Sequence, residues 1–366
     1  MENLVDASLW KGRRVFLTGH TGFKGGWLSL WLRRMGSTVR GYALDPPTNP
    51  NLFGELRLQE LVDDVRGDVG DLTKLIHSMK EFSPDVVFHL AAQPLVRRSY
   101  TDPVGTYATN IIGTAHVLEA VRATPSVKAV VVITTDKCYE NREWVWGYRE
   151  QDPLGGYDPY SSSKACAEIL TASYRQSFFS SDSASDRGVG VATARAGNVV
   201  GGGDWSEDRL IPDLVRGFSS GRAVLIRYPG AIRPWQHVLD PLAGYLLLGQ
   251  RLLNGERQCA TAWNFGPSDD EAWTVAQIAD AMASQWGDGA SWTRDEKPVE
   301  HEATYLKLDA SKARLMLGWR PRLKLESTIS WVIDWFRARQ QGCDMREFTS
   351  RQINAYQELM ARSTTL

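Results

Sequence analysis

The sequence lacks the features that would send a chain into a membrane or an oxidising compartment. No apolar run approaches the roughly 18 residues needed to cross a bilayer; residues 242–253 come nearest and are interrupted by Gly249 and Gln250. The first ten residues carry no basic-then-apolar signal pattern. The cysteines lie far apart, which argues against a zinc site or a disulfide framework: Cys138, Cys166, Cys259 and Cys343. We therefore expect a cytoplasmic chain with no metal and no membrane contact.

The charge balance also lacks an excess of either sign. The formal net charge is −1, with 23% of the 366 residues charged. Such a balance gives no electrostatic footprint for nucleic acid or an anionic membrane, so an anionic ligand would be held by local Arg and Lys. With 43% hydrophobic residues, the chain can bury a large core, and its length predicts two lobes.

A glycine-rich stretch near the amino end predicts a dinucleotide site. Residues 13–18 are predicted to form a first strand that runs into Gly19, and Gly22 and Gly25 complete a GxxGxxG pattern before a helix at 26–35. A strand, a glycine turn and a helix together place free N–H groups and the positive helix end against a pyrophosphate.

Asp45 follows the second predicted strand, at 38–44. A carboxylate about 20 residues beyond the first turn can bond a ribose diol and repels a 2′-phosphate, which favours NAD over NADP. The alternative is a turn-forming Asp before two prolines. We also expect cofactor contacts from residues at later strand ends and on the helix at 103–123: Asp68, Val69, Ala91 and Asn110.

Strands and helices alternate through the first 200 residues. Further strands are predicted at 62–65, 85–92, 128–134 and 190–195, with helices at 103–123 and 160–179. This pattern is typical of an α/β fold with a doubly wound parallel (Rossmann) sheet. We assign residues 10–200 to the NAD-binding domain, which also receives segments such as 230–265. Residues 201–340 mainly form a smaller interleaved α/β substrate lobe, and 341–366 a C-terminal helical tail.

Residues 130–164 carry the candidate chemistry. A β-branched strand ends in Thr135, Asp136 and Lys137, and Tyr160 and Lys164 open a later helix. Ligands of open α/β sheets bind beyond the carboxyl ends of strands, so these side chains share one crevice. The i,i+4 spacing puts Tyr160 and Lys164 on one helix face, where the ammonium should lower the pKa of the phenol from about 10. His89 lies within an apolar run and is interpreted as a core histidine.

The glycine turn, Thr135, Tyr160 and Lys164 together resemble the extended short-chain dehydrogenase/reductase superfamily, over about residues 13–336. Thr135-Asp136 is similar to the nucleotide-sugar 4,6-dehydratases. Lys137, where most of these have Glu, resembles those that act on CDP-D-glucose. Five further motifs share that resemblance, at residues 146–150, 158–161, 197–205, 209–212 and 233–237.

The resemblance implies a lyase that uses NAD without net redox change. Tyr160 would take the proton of the C4 hydroxyl, and Thr135 would bond the same oxygen. Lys164 would keep Tyr160 anionic and hold the nicotinamide ribose, so Tyr160 and Lys164 are also expected at the cofactor. Asp136 would be the acid that protonates the departing C6 hydroxyl, and Lys137 the base at C5. A second interpretation keeps Lys137 charged, as a stabiliser of the C5 enolate. An epimerase or reductase of the same fold is the rival function.

For CDP-glucose binding, the resemblance implies Asn198, Arg209, Arg233, Trp235 and His237. A surface helix start is the alternative for Arg209, and core packing the alternative for Trp235. It also implies a homodimer through the helices at 103–123 and 160–179, with a dimer of dimers as an option, and a product used for deoxy sugars of bacterial surface polysaccharide such as the lipopolysaccharide O-antigen.

One departure from the resemblance lies inside the glycine turn. Many relatives have small or apolar residues where this chain has His20 and Lys24. Side chains of this bulk should crowd a pyrophosphate, so we expect NAD to be held loosely.

Overall fold

The computed structural model describes residues 5–180, 188–268, 272–295 and 304–362. Its main feature is a seven-stranded parallel sheet in the order β11-β6-β5-β4-β1-β2-β3. The strands of this sheet are β1 Arg14–Thr18, β2 Thr38–Ala43, β3 Asp63–Arg66, β4 Val86–His89, β5 Ala129–Ile133, β6 Gly190–Arg195 and β11 Ala262–Asn264.

Helices cover both faces of the sheet. They are α1 Ala7–Trp10, α2 Phe23–Arg34, α3 Leu52–Glu55, α4 Leu72–Phe82, α5 Val96–Thr101, α6 Pro103–Tyr107, α7 Gly113–Arg122, α8 Pro159–Phe178, α9 Leu210–Ser219, α10 Leu239–Leu253, α11 Val275–Trp286, α12 Leu325–Gln340 and α13 Met345–Arg362. The predicted doubly wound parallel sheet is confirmed.

Burial explains the sheet. Every residue of β5 is buried, and its Val-rich sequence packs against helices on both sides. Strand order reverses between β1 and β4, which are neighbours although two strands separate them in the chain. Such a switch point opens a crevice at the strands' carboxyl ends, and the site lies there.

The remaining strands form three separate pairs. They are β7 Val199–Val200 with β10 Gln236–His237, β8 Val224–Ile226 with β13 Trp292–Arg294, and β9 Ile232–Arg233 with β12 Trp273–Thr274. The predicted absence of a second large sheet holds for the described residues. The domain boundaries given above remain a prediction.

The helix predicted at 103–123 is interrupted. Its middle is a π-helical turn, Ala108–Ile112, between α6 and α7. A second π-helical turn lies at Ala313–Leu317. Helix α5 was not predicted. Single-sequence periodicity does not separate a π turn from an α-helix, because both keep one face buried.

The last helix packs against the first half of the chain. Tyr356 of α13 lies edge-on to Trp31 of α2, with ring centroids 5.8 Å apart. Its hydroxyl donates to Asp240 Oδ1 of α10 at 2.7 Å. Helix α13 therefore belongs to the hydrophobic core that includes α2.

The described residues contain neither a membrane-spanning helix nor a cluster of metal ligands. None of their helices combines the length and the apolar character that a bilayer crossing requires. No cluster of three or more His, Cys, Asp or Glu side chains in this part of the chain could hold a metal ion.

Candidate active site

One large cavity runs along the carboxyl edge of the sheet. Its volume is about 1330 Å³, and its lining extends from the glycine turn past the end of β5 to α9 and β8. Twelve of the predicted cofactor and catalytic residues line it: Gly19, Gly22, Gly25, Asp45, Asp68, Val69, Ala91, Thr135, Asp136, Lys137, Tyr160 and Lys164.

The glycine turn is built so tightly that its backbone is part of the wall. A Cβ on Gly25 would lie 2.1 Å from the carbonyl oxygen of Gly19. Gly19 has φ +78°, and a Cβ there would lie 2.7 Å from the Ala91 nitrogen. Gly22 is the N-cap of α2, whose amino end faces the cavity. This geometry fits a pyrophosphate held by backbone N–H groups at a helix N-terminus.

The side chains beside the turn fit the rest of a dinucleotide. Asp45 follows β2, and its side chain is 90% exposed, with Oδ1 3.7 Å from Arg66 Nη1. Its carboxylate is therefore available to a ribose diol. Asp68 Oδ1 accepts from the Gly70 nitrogen at 2.8 Å, which fixes this loop. The residues present thus fit NAD.

His20 and Lys24 differ in where they lie. The His20 imidazole is fully buried, contacts Asp64 Oδ1 through Nε2 at 2.8 Å, and packs against Gly41 and Phe53. It does not line the cavity, so the expected crowding by His20 is wrong. Lys24 does line the cavity. Burial, assisted by the charges of nearby Lys and Arg, lowers the pKa of Lys24 to about 7.

Asp136 has the environment of an acid. It is 1% exposed, its Oδ1 accepts from Thr135 Oγ1 at 3.0 Å, and its Oδ2 has no hydrogen-bond partner among the described residues. A Cβ on Gly197 would lie 1.8 Å from that Oδ2, so Gly197 makes room for the carboxyl. Burial raises the pKa of Asp136 against the lowering effects of Lys137, Thr135 and Arg233.

Lys137 lies beside Asp136 in a different setting. Residues Asp136–Cys138 form a 3-10 turn capped by Thr135, so the expectation of an extended strand end at this point is wrong. Lys137 is half-buried and lines the cavity, and within the described ranges its ammonium makes no hydrogen bond or salt bridge. It is therefore available to a ligand.

Tyr160 and Lys164 correct one prediction. Burial raises the pKa of Tyr160 to about 12, against hydrogen bonding with Thr135 and the charge of Arg209. Lys164 Nζ donates instead to the Ile133 carbonyl oxygen at 3.2 Å. The i,i+4 spacing is present, but the ammonium does not lower the pKa of Tyr160 as expected. Burial also lowers the pKa of Lys164 to about 8.

Four of the predicted substrate residues line the cavity beyond this cluster: Asn198, Arg209, Arg233 and Trp235. Asn198 has φ +42°, and Arg233 is 4% exposed. Arg209 is the N-cap residue of α9, with a third of its side chain exposed and Nη1 2.8 Å from Asp204 Oδ2. Its helix-start position and its cavity position are both present, so the two readings of Arg209 are compatible.

Trp235 lines the cavity and is 5% exposed. His237 does not line it: the imidazole is fully buried between the edges of Trp27 and Trp331, and burial lowers its pKa to about 3. The predicted contact of His237 with substrate is wrong, because these two tryptophans enclose the ring.

Asn110 also has other partners than predicted. Its side chain bonds the Gln93 backbone at 2.8 and 3.1 Å and the Ser163 hydroxyl at 2.8 Å. It does not line the cavity and holds the loop after β4 to α8. His89 is the core histidine predicted, between Thr18 and Thr114 hydroxyls.

Sequence reasoning missed a buried pair behind the site. Glu168 and Arg195 are each 3% exposed, with Arg195 Nη2 2.8 Å from Glu168 Oε2. Glu168 follows Lys164 by four residues, and Arg195 ends a predicted strand. The signal available in the sequence was a charged residue at a core-facing position, Glu168 in the helix at 160–179 and Arg195 in the strand at 190–195.

Residues 16–331 match the family described as GDP-mannose 4,6 dehydratase. A CDP-glucose 4,6-dehydratase of Salmonella typhimurium is 54% identical over 359 residues, which is 98% of this chain and all of that relative.

Two solved structures are similar in fold. A complex of MoeE5 with UDP-glucose and NAD is 25% identical, with TM-score 0.74 over 89% of this chain and 99% of that one. A dTDP-glucose 4,6-dehydratase of Bacillus anthracis with NAD is 21% identical, with TM-score 0.73 over 92% of this chain and 100% of that one.

Proposed function

The chain belongs to the GDP-mannose 4,6 dehydratase family, and we propose that it is the member that converts CDP-D-glucose to CDP-4-dehydro-6-deoxy-D-glucose and water. It is an NAD-dependent lyase. The 54% identity to a CDP-glucose 4,6-dehydratase across the whole length carries this assignment. The glycine turn, with no room for a Cβ on Gly25, supports the use of a dinucleotide.

The first step oxidises the sugar at C4. The glycine turn and Asp45 would hold NAD⁺, which would supply the acceptor for the C4 hydride and the donor that returns it to C6, and whose positive charge would favour the phenolate of Tyr160. Tyr160 removes the proton of the C4 hydroxyl, and Thr135 bonds the same oxygen. At Tyr160, burial raises the pKa and the charge of Arg209 lowers it. This balance supports a base that becomes a phenolate only when substrate and cofactor are bound.

The second step eliminates water across C5 and C6. Asp136 donates its proton to the departing C6 hydroxyl, because an acid must hold that proton at neutral pH. Its burial, its unpartnered Oδ2 and its raised pKa support the role. Lys137, in its neutral amine form, removes the C5 proton. Its place in the same cavity and the absence of a hydrogen-bond or salt-bridge partner for its Nζ within the described residues support the role.

An epimerase on the same fold is the rival function. Epimerisation at C4 requires no acid at C6, whereas this cavity contains the buried carboxyl of Asp136. This observation favours dehydration.

The reaction is tested by incubating the protein with NAD⁺ and with CDP-, dTDP- or GDP-glucose in turn. We expect the 4-keto-6-deoxy product from CDP-glucose, with no accumulation of reduced cofactor. Reduced cofactor formed in a one-to-one ratio with product, or a C4 epimer in place of the keto sugar, would contradict the assignment.

The two roles in elimination are tested by Asp136→Asn and Lys137→Met. We expect each to lower kcat by about 10²–10⁴-fold, because each removes one proton transfer. Exchange of the C5 proton with solvent separates the two interpretations of Lys137. Exchange that survives in Lys137→Met while turnover falls would assign the proton to another base and leave Lys137 as an electrostatic stabiliser.

We also propose that the protein is a homodimer in the cytoplasm. Exposed apolar side chains on α6, the π turn and α8 support a homodimer: Val104 is 77% exposed, Ile112 51% and Ile169 58%. The expected compartment is the cytoplasm, and the expected use of the product is deoxy-sugar synthesis. Sedimentation of the parent and of Ile112→Glu tests the dimer, which the charged variant should dissociate.

A further inference from the structure

A buried carboxylate lies one helical turn beyond Lys164, outside the substrate cavity. Glu168 of α8 is 3% exposed. Its Oε1 accepts from the Thr134 hydroxyl after β5, and its Oε2 accepts from Thr193 Oγ1 at 2.7 Å and Arg195 Nη2 at 2.8 Å on β6. The reaction described above uses none of these residues.

Glu168 is ionised in this setting. Burial alone would raise its pKa, but the charge of Arg195 and the bonds from Arg195, Thr134 and Thr193 hold the pKa below its ordinary value. The result is a fixed negative charge in a region of low dielectric, where charges act strongly on neighbours.

Arg195 is itself held by hydrogen bonds to residues other than Glu168. Its Nη1 donates to Tyr139 Oη at 2.7 Å and to the Glu150 carbonyl oxygen at 3.2 Å. Tyr139 Oη in turn donates to Asn264 Oδ1 at 2.7 Å. The carboxylate of Glu168 is therefore fixed in position by a chain of bonds across β6 and β11.

Several groups face Lys164 from the elements around it. The charge of Lys164 helps to lower the pKa of Lys24 of α2, and His89 of β4 is neutral because burial lowers its pKa to about 3. The Cys138 thiol is neutral, since burial raises its pKa. Burial lowers the pKa of Lys164 itself to about 8, and Glu168 exerts the largest opposing effect. Tyr160 lies one turn before Lys164 on the same helix.

We propose that Glu168 is a positioning residue that keeps the Lys164 ammonium charged at neutral pH and directed to the end of β5. Lys164 is needed as a cation there, beside Tyr160 and the cofactor ribose. The effect on turnover rests on the proposed function, whereas the effect on the protonation of Lys164 does not. Glu168 and Lys164 bond adjacent residues at the end of β5, the Thr134 hydroxyl and the Ile133 carbonyl oxygen, so both charged groups lie at the same strand end. Without Glu168, the burial that lowers the pKa of Lys164 would lose its largest opposing effect.

A purely structural role would look different. The Glu168–Arg195 pair also joins α8 to β5 and β6, so its loss would lower stability whatever its effect on Lys164. The deciding measurement therefore reads the protonation of Lys164 directly. Competitive acetylation of the cofactor-free protein over a range of pH, followed by mass spectrometry, gives the titration of this one amine without substrate or turnover.

The main variant is Glu168→Gln with Arg195→Met, which removes both charges and leaves no unpaired buried ion. The single variant Glu168→Gln is measured alongside it, and a value from either folded variant decides the outcome. Thr193→Val is the matched control, because it removes one bond to the same carboxylate and keeps the charge.

We expect Lys164 to titrate about one pH unit or more lower in the charge-removing variants and at the parental pH in Thr193→Val. The alkaline limb of the kcat/KM profile should move to lower pH in the same variants only. An unchanged titration of Lys164, or an equal shift in Thr193→Val, would overturn the proposal. Absence of CDP-glucose turnover in the parent would overturn the proposed function and leave this titration intact.

Discussion

The glycine turn and the catalytic cluster lie in one cavity but are built from different chemical groups. At residues 19–25 the wall is backbone, with Gly25 and Gly19 too close for a Cβ. At the end of β5 the wall is ionisable side chains, with raised pKa values at Asp136 and Tyr160 and a lowered one at Lys164. The first region depends mainly on shape, with Lys24 as a side chain that titrates near neutral pH, while the second depends throughout on protonation.

The largest effect is expected from a substitution that disrupts the catalytic cluster and leaves the glycine turn intact. Tyr160→Phe removes the base and should lower kcat by about 10²–10⁴-fold. NAD affinity, measured by calorimetry, should change little, because the cofactor end is formed by backbone. Tyr157→Phe is the control, since Tyr157 is 79% exposed. A loss of NAD binding as large as the loss of kcat would show that the two regions are not separable in this way.

The next largest effect is expected from a substitution that disrupts the glycine turn and leaves the catalytic cluster intact. Gly25→Ala places a methyl 2.1 Å from the Gly19 carbonyl oxygen, so the turn must shift. We expect NAD affinity to fall about a hundredfold, as when a binding group is displaced by an ångström. Gly230→Ala is the matched control, because a Cβ there meets nothing within 4 Å. Equal NAD affinity in the parent and Gly25→Ala would refute the steric argument.

A smaller effect concerns the side chain at the cofactor end. Asp45→Ala should weaken NAD and improve NADP, changing their ratio by about tenfold. The effect is modest because this carboxylate is 90% exposed and water screens it. Kinetics with both cofactors measure it. An unchanged ratio would leave Asp45 with its alternative role as a turn residue.

The smallest effect is a pH dependence of stability. Lys164 has a pKa of about 8 when folded and about 10.4 when unfolded. Between these values the unfolded chain binds more protons, so the destabilising burial of this amine is relieved as pH rises. Thermal unfolding of the cofactor-free protein should show Tm rising by a few degrees between about pH 8 and 10 relative to Lys164→Met. Parallel curves for the two proteins would exclude this contribution.

The turn was predictable because its signal is local. Gly19, Gly22 and Gly25 lie within seven residues, and the strand and helix that flank them are continuous apolar patterns. The parallel sheet was predictable for the same reason. The cluster was predictable in its members, since Thr135, Asp136 and Lys137 follow one strand.

What could not be predicted depends on partners far away in sequence. The neutral phenol of Tyr160 results from burial and from Lys164 turning to the Ile133 carbonyl, neither of which spacing reveals. His237 is enclosed by Trp27 and Trp331. The π turn at Asn110 is bonded to Gln93 and Ser163.

The packing of α13 against α2 has a consequence for synthesis. Trp31 is fully buried, and part of its cover is Tyr356, near the opposite end of the chain. Helix α2 leaves the ribosome well before α13, so Trp31 stays partly uncovered until α13 has been synthesised. Until then an indole surface is open to chaperones, and a stalled or clipped chain would keep it so.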